Sequence, residues 1–226
     1  IGNTAKIALL VVWIFSLIGL GILALRQATE QAYDGEFISE QVLPIQQGDT
    51  LKITMATKNR FDYKTHRSNS FEIKLDENDE KVIYSNDVRL IVRSTQDSIG
   101  KIYLEKNAEG NSFVDAKNRA EAIDYNYTFE NNTLLLDGYF TTGVENKYRE
   151  QEVEIVVYLP EGAILFADEN TYSYHRNYSR YDDILNNGDE EQYLLIQKDK
   201  TYCLDCPEKL HIDHNSDGID NWEDKV

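Results

Sequence analysis

The sequence has little cysteine and little positive charge. Two Cys in 226 residues cannot build a disulfide framework, so a hydrophobic core has to hold the folded part together. Lys and Arg number 23 against 40 Asp and Glu, a net charge of −17 and a pI near 4.6. The only charged side chains of the first 26 residues are Lys6 and Arg26, so all of the acid lies beyond them. Such a surface repels phosphate backbones and excludes nucleic acid as a partner of this region. Disorder is excluded too: aromatics make up 11% of the chain, with 15 Tyr, too many for an unfolded acidic polypeptide. The length allows one or two domains. The chain starts at Ile1 instead of Met and reads as part of a longer or processed protein.

Charge is missing altogether from Ile7 to Leu25, where Ser16 is the only polar side chain. At about 1.5 Å per residue this run spans close to the ~30 Å hydrocarbon core of a bilayer. Lys6 and Arg26 bracket it and can reach the two interfaces. It is too long for a signal peptide's apolar region and lacks a good cleavage site. The expectation is a single transmembrane helix, extended by the helix formers of Arg26 to Asp34 and stopped at Gly35. Ser16 and Gly19, one turn apart, can admit a partner helix. A large acidic domain with little Lys or Arg near the membrane fits the outside of the cell better than the inside.

From Phe37 onward apolar residues alternate with polar ones. Leu51, Ile53 and Met55 share one face, as do Phe71, Ile73 and Leu75; Val88, Leu90 and Val92; Tyr125, Tyr127 and Phe129; and Val153, Ile155, Val157 and Leu159. This period predicts half-buried strands. Turn signals separate them at Gln47-Gly48-Asp49, Glu77-Asn78-Asp79, Asn107 to Gly110, Asn131-Asn132 and Pro160-Glu161-Gly162. One stretch breaks the pattern: Phe113, Ala116, Ala120 and Ile123 recur at helical spacing and predict a short helix. Asn170 to Asp189 is polar and Tyr-rich, without apolar period, and reads as a long surface loop. Its Tyr172, Tyr174, Tyr178 and Tyr181, with Arg176 and Arg180, either pack on the domain's own sheet or form a recognition surface.

The order of these elements resembles a known family. Val153 to Phe166 (VEIVVYLPEGAILF) is a strand, a Leu-Pro-Glu-Gly turn and a second strand. Ahead of it lie Lys147 to Gln151, Leu134 to Asp137 with Tyr139-Phe140, and Ala116, Ala120, Ile123 and Tyr125; Tyr202 to Cys206 follows. Together these resemble the C-terminal extracytoplasmic region of PspC-domain membrane proteins of Bacteroidetes-type bacteria. That region is similar to LiaF-like and adhesin-head β domains. The resemblance implies an all-β, solenoid-like or rack-like antiparallel domain with one short helix, behind a single N-terminal transmembrane helix. It divides the chain into residues 1–34 (membrane helix), 35–207 (extracytoplasmic β domain) and 208–226 (acidic tail). It also implies a non-catalytic envelope-stress protein of the inner membrane, phage-shock in type, that senses or scaffolds by binding envelope proteins or its own copies. The alternative is a surface adhesin or structural envelope protein with a weak calcium-binding tail.

Residues that could carry chemistry are few. In the tail, Asp213, Asn215, Asp217, Ile219, Asn221 and Asp224 follow the spacing of a calcium loop, with Gly218 at the sharp turn and Ile219 offering its carbonyl. Asp224 stands where such loops carry a bidentate Glu, so calcium is expected to bind weakly; no other cofactor is expected. Cys203 and Cys206 can pair as a disulfide in an oxidising compartment, or join His211 and His214 around zinc, although that spacing is not a standard finger. Asp182-Asp183 and Glu190-Glu191 read as solvated acids, and His66 as exposed. Ser173, His175 and Ser179 lie together but form no nucleophile elbow. The chain is read as not an enzyme.

Overall fold

The computed structural model describes residues 2–29, 32–56, 70–175 and 183–206. Helix α1, Asn3–Thr29, is about 40 Å long by its 27 residues. Its apolar stretch Lys6–Ala24 is long enough to cross a membrane and is buried nowhere by the rest of the protein. Trp13 and Phe15 are 62% and 69% exposed. A helix apolar on every side finds its partner in lipid, not water. The one polar side chain inside it is satisfied locally: Ser16 Oγ donates to the Val12 carbonyl at 3.0 Å. The helix ends at Thr29, short of the expected stop, and Gly35 lies inside a strand.

Three sheets follow. The first holds β1 (Tyr33–Leu43), β6 (Gly100–Gly110), β10 (Glu152–Pro160) and β5 (Val88–Thr95), side by side in that order. The second runs β13 (Lys200–Cys203), β12 (Tyr193–Gln197), β11 (Ile164–Ala167), β2 (Thr50–Met55), β8 (Thr133–Leu136) and β7 (Tyr127–Glu130). The third is small: β3 (Phe71–Leu75), β4 (Lys81–Ser85) and β9 (Phe140–Gly143). Helix α2, Phe113–Glu121, packs on β1 and β6.

The rack-like β architecture is as expected, but the sheets are mixed and not antiparallel throughout. β10 runs parallel to β5, β11 to β2, and β2 to β8. The cause is an insertion. β5 and β6 are consecutive, yet β10 lies between them. A repeated step gives the rack its form. β1 leads from the first sheet into β2 of the second, and β10 leads likewise into β11. Two glycine turns meet at these steps. Gly48 and Gly162 both take φ of 87°, open to glycine without strain, and Gly48 N–H donates to the Gly162 carbonyl at 2.9 Å. Pro160 closes β10, whose ladder to β5 ends there. The Asn131-Asn132 turn has φ of 49° and 56°, suiting the tight β7–β8 hairpin.

One cluster of side chains joins the inner faces of the two large sheets. It takes Leu43, Leu90, Val92, Ile102 and Val157 from the first and Leu51, Ile53, Leu134, Leu165 and Leu194 from the second. The alternation over 51–55, 88–92 and 153–159 is therefore the core pattern. Three expectations fail in detail. Asn107 to Gly110 does not turn but completes β6, paired with Tyr33 to Glu36 of β1. Phe71, Ile73 and Leu75 alternate, yet all three are exposed. In α2, Ala116, Ala120 and the following Ile123 are buried, but Phe113 is not.

Candidate functional site

The outer edges of the first sheet are treated differently. β5 is closed by the chain expected to be a long surface loop. Leu90 N–H donates to the Tyr174 carbonyl at 3.0 Å, and Ile184 N–H donates to the Val92 carbonyl at 2.8 Å. Asp183 Oδ1 fills the gap between them, accepting from Val92 N–H and Leu185 N–H, each at 3.0 Å. Burial raises the Asp183 carboxyl to about 6, against the pull of these two N–H donors and of Arg93. Tyr174, Leu185 and Thr171 are fully buried. The Tyr174 hydroxyl donates to the Gly138 carbonyl at 3.4 Å, and burial holds the phenol well above its ordinary range. Of the expected tyrosine surface, Tyr172 is exposed and Tyr174 buried, while Tyr178, Tyr181, Arg176 and Arg180 lie outside the described residues.

His175 is the other buried titratable group of this strap. Its Nε2 lies 2.8 Å from Glu190 Oε1, with the side chains 0% and 8% exposed. Glu190 is thus no solvated acid. Burial lowers the imidazole, and the neighbouring Glu190 and Asp189 oppose it without prevailing. Among the described residues no group of three or more His, Cys, Asp or Glu could hold a metal ion. The pair ties the stretch ending at His175 to the turn that carries Glu190. The polar composition hid it, because an apolar period is the only burial signal that alternation can give.

The opposite edge of the sheet, β1, pairs with β6 alone among the described residues. It carries Asp34, Glu36 and Glu40, the type of charge that blunts uncontrolled strand pairing. An exposed apolar row lies instead on β3. Phe71, Ile73 and Leu75 are 44%, 63% and 55% exposed on an edge strand. Phe71 stacks on Tyr148 at 4.1 Å between ring centroids. Lys74, on the other face, sits over the Tyr84 ring, 3.6 Å from its centroid. Beyond Leu75 a cavity of about 390 Å³ opens, lined by Asp76, Glu77, Val82, Ala122, Asp124 and Thr142. The exposed apolar row thus lies beside a recess with polar and apolar walls.

The remaining sequence-predicted residues fall as follows. Cys203 ends β13 and is joined to Cys206 by a disulfide, Cα atoms 5.7 Å apart. Asp213, Asn215, Asp217, Ile219, Asn221 and Asp224 lie outside the described residues, as do His211, His214 and His66.

Residues 74–209 match the family of toast-rack C-terminal domains, described as the ToastRack found in some PspC. No curated protein and no solved structure matches the chain. The matched span runs from β3 through the disulfide and covers all of the first sheet except β1. The rack of stepped strands and the match agree: the chain belongs to the toast-rack domain family found at the C-terminus of some PspC proteins.

Proposed function

We propose that this is a membrane-anchored, non-catalytic envelope protein that takes part in an envelope-stress response of the phage-shock type by binding protein partners. The carrying observation is the succession of an apolar helix and a toast-rack domain in one chain. The domain is placed in the periplasm of a cell whose inner membrane holds α1. Its acidic surface and the Cys203–Cys206 bond, which suits an oxidising compartment, support that side. The apolar row Phe71, Ile73 and Leu75 is the face offered to a partner.

The test is genetic. A deletion strain is complemented with the full chain or with a Phe71→Ser, Ile73→Ser, Leu75→Ser variant, and an envelope-stress reporter is read after membrane challenge. Deletion should change the response, and the variant should fail to restore it while still fractionating with the membrane. An unchanged response on deletion would overturn the proposal.

A further inference from the structure

Phe113 and Val114 open α2 and turn to solvent, 67% and 70% exposed. The helix itself does not require them. Its start is set by Ser112, whose Oγ accepts from Asp115 N–H at 3.2 Å, and its buried face is Ala116 and Ala120. Two large apolar side chains in succession at an exposed helix start are unfavourable in water. They are not alone. The Tyr33 ring meets the Phe113 ring edge-on, with centroids 4.8 Å apart. Tyr33 is itself 41% exposed, so the two rings form one exposed patch, and Val114 is next to Phe113 in the chain.

The place of the patch is fixed from both sides. Tyr33 begins β1, and α1 ends at Thr29, four residues earlier. That length of chain reaches at most about 14 Å. On the other side α2 is seated on glycine. A Cβ at Gly35 would lie 2.3 Å from the backbone of Ala116 and Lys117, and one at Gly110 would lie 2.5 Å from Ala116 N. The two glycines let the helix press against the start of β1 and the end of β6, which holds the Phe113 ring against Tyr33.

We propose that Tyr33, Phe113 and Val114 enter the interfacial layer of the bilayer that α1 spans, so that the domain rests on the membrane by this corner. The inference depends on α1 being a membrane anchor. Tyrosine is favoured at that depth, and an apolar patch tethered this close to a membrane meets lipid before any other surface. The charges around the patch choose the headgroup. Asp34, Glu109 and Asp115 are acidic, and the nearby Arg119 is engaged by Asp115 at 3.0 Å and by the Asn146 carbonyl. These acids outnumber the cations Lys117 and Arg149 beside them, so a zwitterionic surface is favoured over an anionic one.

Single tryptophans in the full chain test this in vesicles of brominated phosphatidylcholine. Trp13 and Trp222 are replaced by Phe, and Val114→Trp or Gln96→Trp is added; a third protein keeps Trp13 alone. Gln96 lies in the turn between β5 and β6, at the Leu43 end of β1. The Tyr33 and Leu43 ends of β1 are about 34 Å apart by strand rise. We expect blue-shifted, bromine-quenched emission from Val114→Trp and water-like, unquenched emission from Gln96→Trp. Water-like emission at Val114→Trp with Trp13 quenched would overturn the proposal and leave the anchor intact. A blue shift without quenching would overturn it in favour of a protein covering the patch. Quenching at both added positions would also overturn it, because the domain would then lie flat. An unquenched Trp13 would remove the anchor and the proposal together.

Discussion

Asp183 Oδ1 accepts from Val92 N–H at 3.0 Å, and this side chain takes the place of a strand on the outer edge of β5. A backbone N–H on a sheet edge must find an acceptor or water. Here the acceptor is a carboxylate brought from residues distant in sequence, and it also caps Leu185 N–H. Asp183 in the folded state has its carboxyl raised to about 6 from an ordinary 3.8. The folded protein therefore binds this proton more tightly than the unfolded chain. Stability from this group rises as pH falls from about 6 to 4, by roughly 3 kcal/mol on conversion of the shift. Asp183→Asn should flatten the stability profile in that window, whereas Asp183→Ala should lose the two acceptor bonds at every pH. Urea unfolding at closely spaced pH values checks both.

His175 works in the opposite direction. Burial lowers its imidazole below the ordinary 6.5, so the unfolded chain takes up the proton first. Stability from His175 is present above pH 6.5 and is lost as pH falls below it. The two groups thus oppose each other in mild acid across one strap. His175→Gln should leave the Asp183 contribution exposed, giving a protein that gains more stability on acidification than the unaltered chain does. A variant whose acid profile matches the unaltered protein would show that the imidazole is not buried neutral beside Glu190.

Gly35→Ala separates space from backbone conformation. The added Cβ would meet the α2 backbone at 2.3 Å, where no flexible side-chain end can move aside. The cost should reach the upper part of the overpacking range, about 3 kcal/mol. Gly48→Ala is the matched comparison: nothing lies within 4 Å of its added Cβ, and only the φ of 87° resists it. That penalty should be nearer 1 kcal/mol. Thermal unfolding of the two variants ranks them.

The strands with one buried face were legible because each alternating side chain reports its own burial. Leu51, Ile53 and Met55, and Val153 through Leu159, met the core as their period required. Phe71, Ile73 and Leu75 carry the same period and stay exposed, since alternation marks two faces without saying what covers either. The parallel neighbours were not legible at all. Placing β10 between β5 and β6 is a choice among long-range pairings that leaves the local pattern unchanged. The strap was hidden for a related reason. His175 is buried, and Asp183 and Glu190 half-buried, by polar contacts, and only Tyr174, Ile184 and Leu185 around them hint at a core. Phe113 was assigned to the buried face of α2 from its spacing, but it stands at the first turn, past the end of the sheet residues that Ala116 and Ala120 cover.

The Cys203–Cys206 bond closes a very short loop at the end of β13. Chain-entropy reasoning limits its stabilisation to about 2 kcal/mol, far less than a bridge across the domain would give. Reduction should release the β12–β13 hairpin and leave the rest folded, with a small fall in Tm. In spheroplasts an impermeant maleimide should label the pair only after reduction. Labelling that needs lysis, with a denatured control excluding burial, would put the domain on the cytoplasmic side.

The acidic tail offers the last test. Asp213, Asn215, Asp217, Asn221 and Asp224 provide side-chain oxygens, and Ile219 a carbonyl, at calcium-loop spacing. Asp224 is one methylene shorter than the Glu that chelates through both oxygens in the tighter loops, so binding should fall near the millimolar class of extracellular modules. Titration calorimetry of the full chain should show one weak calcium site, abolished by Asp217→Ala and strengthened by Asp224→Glu. The second variant separates a real loop from diffuse attraction. A chain of net charge −17 gathers counter-ions anyway, but such attraction does not tighten when one carboxylate replaces another of equal charge.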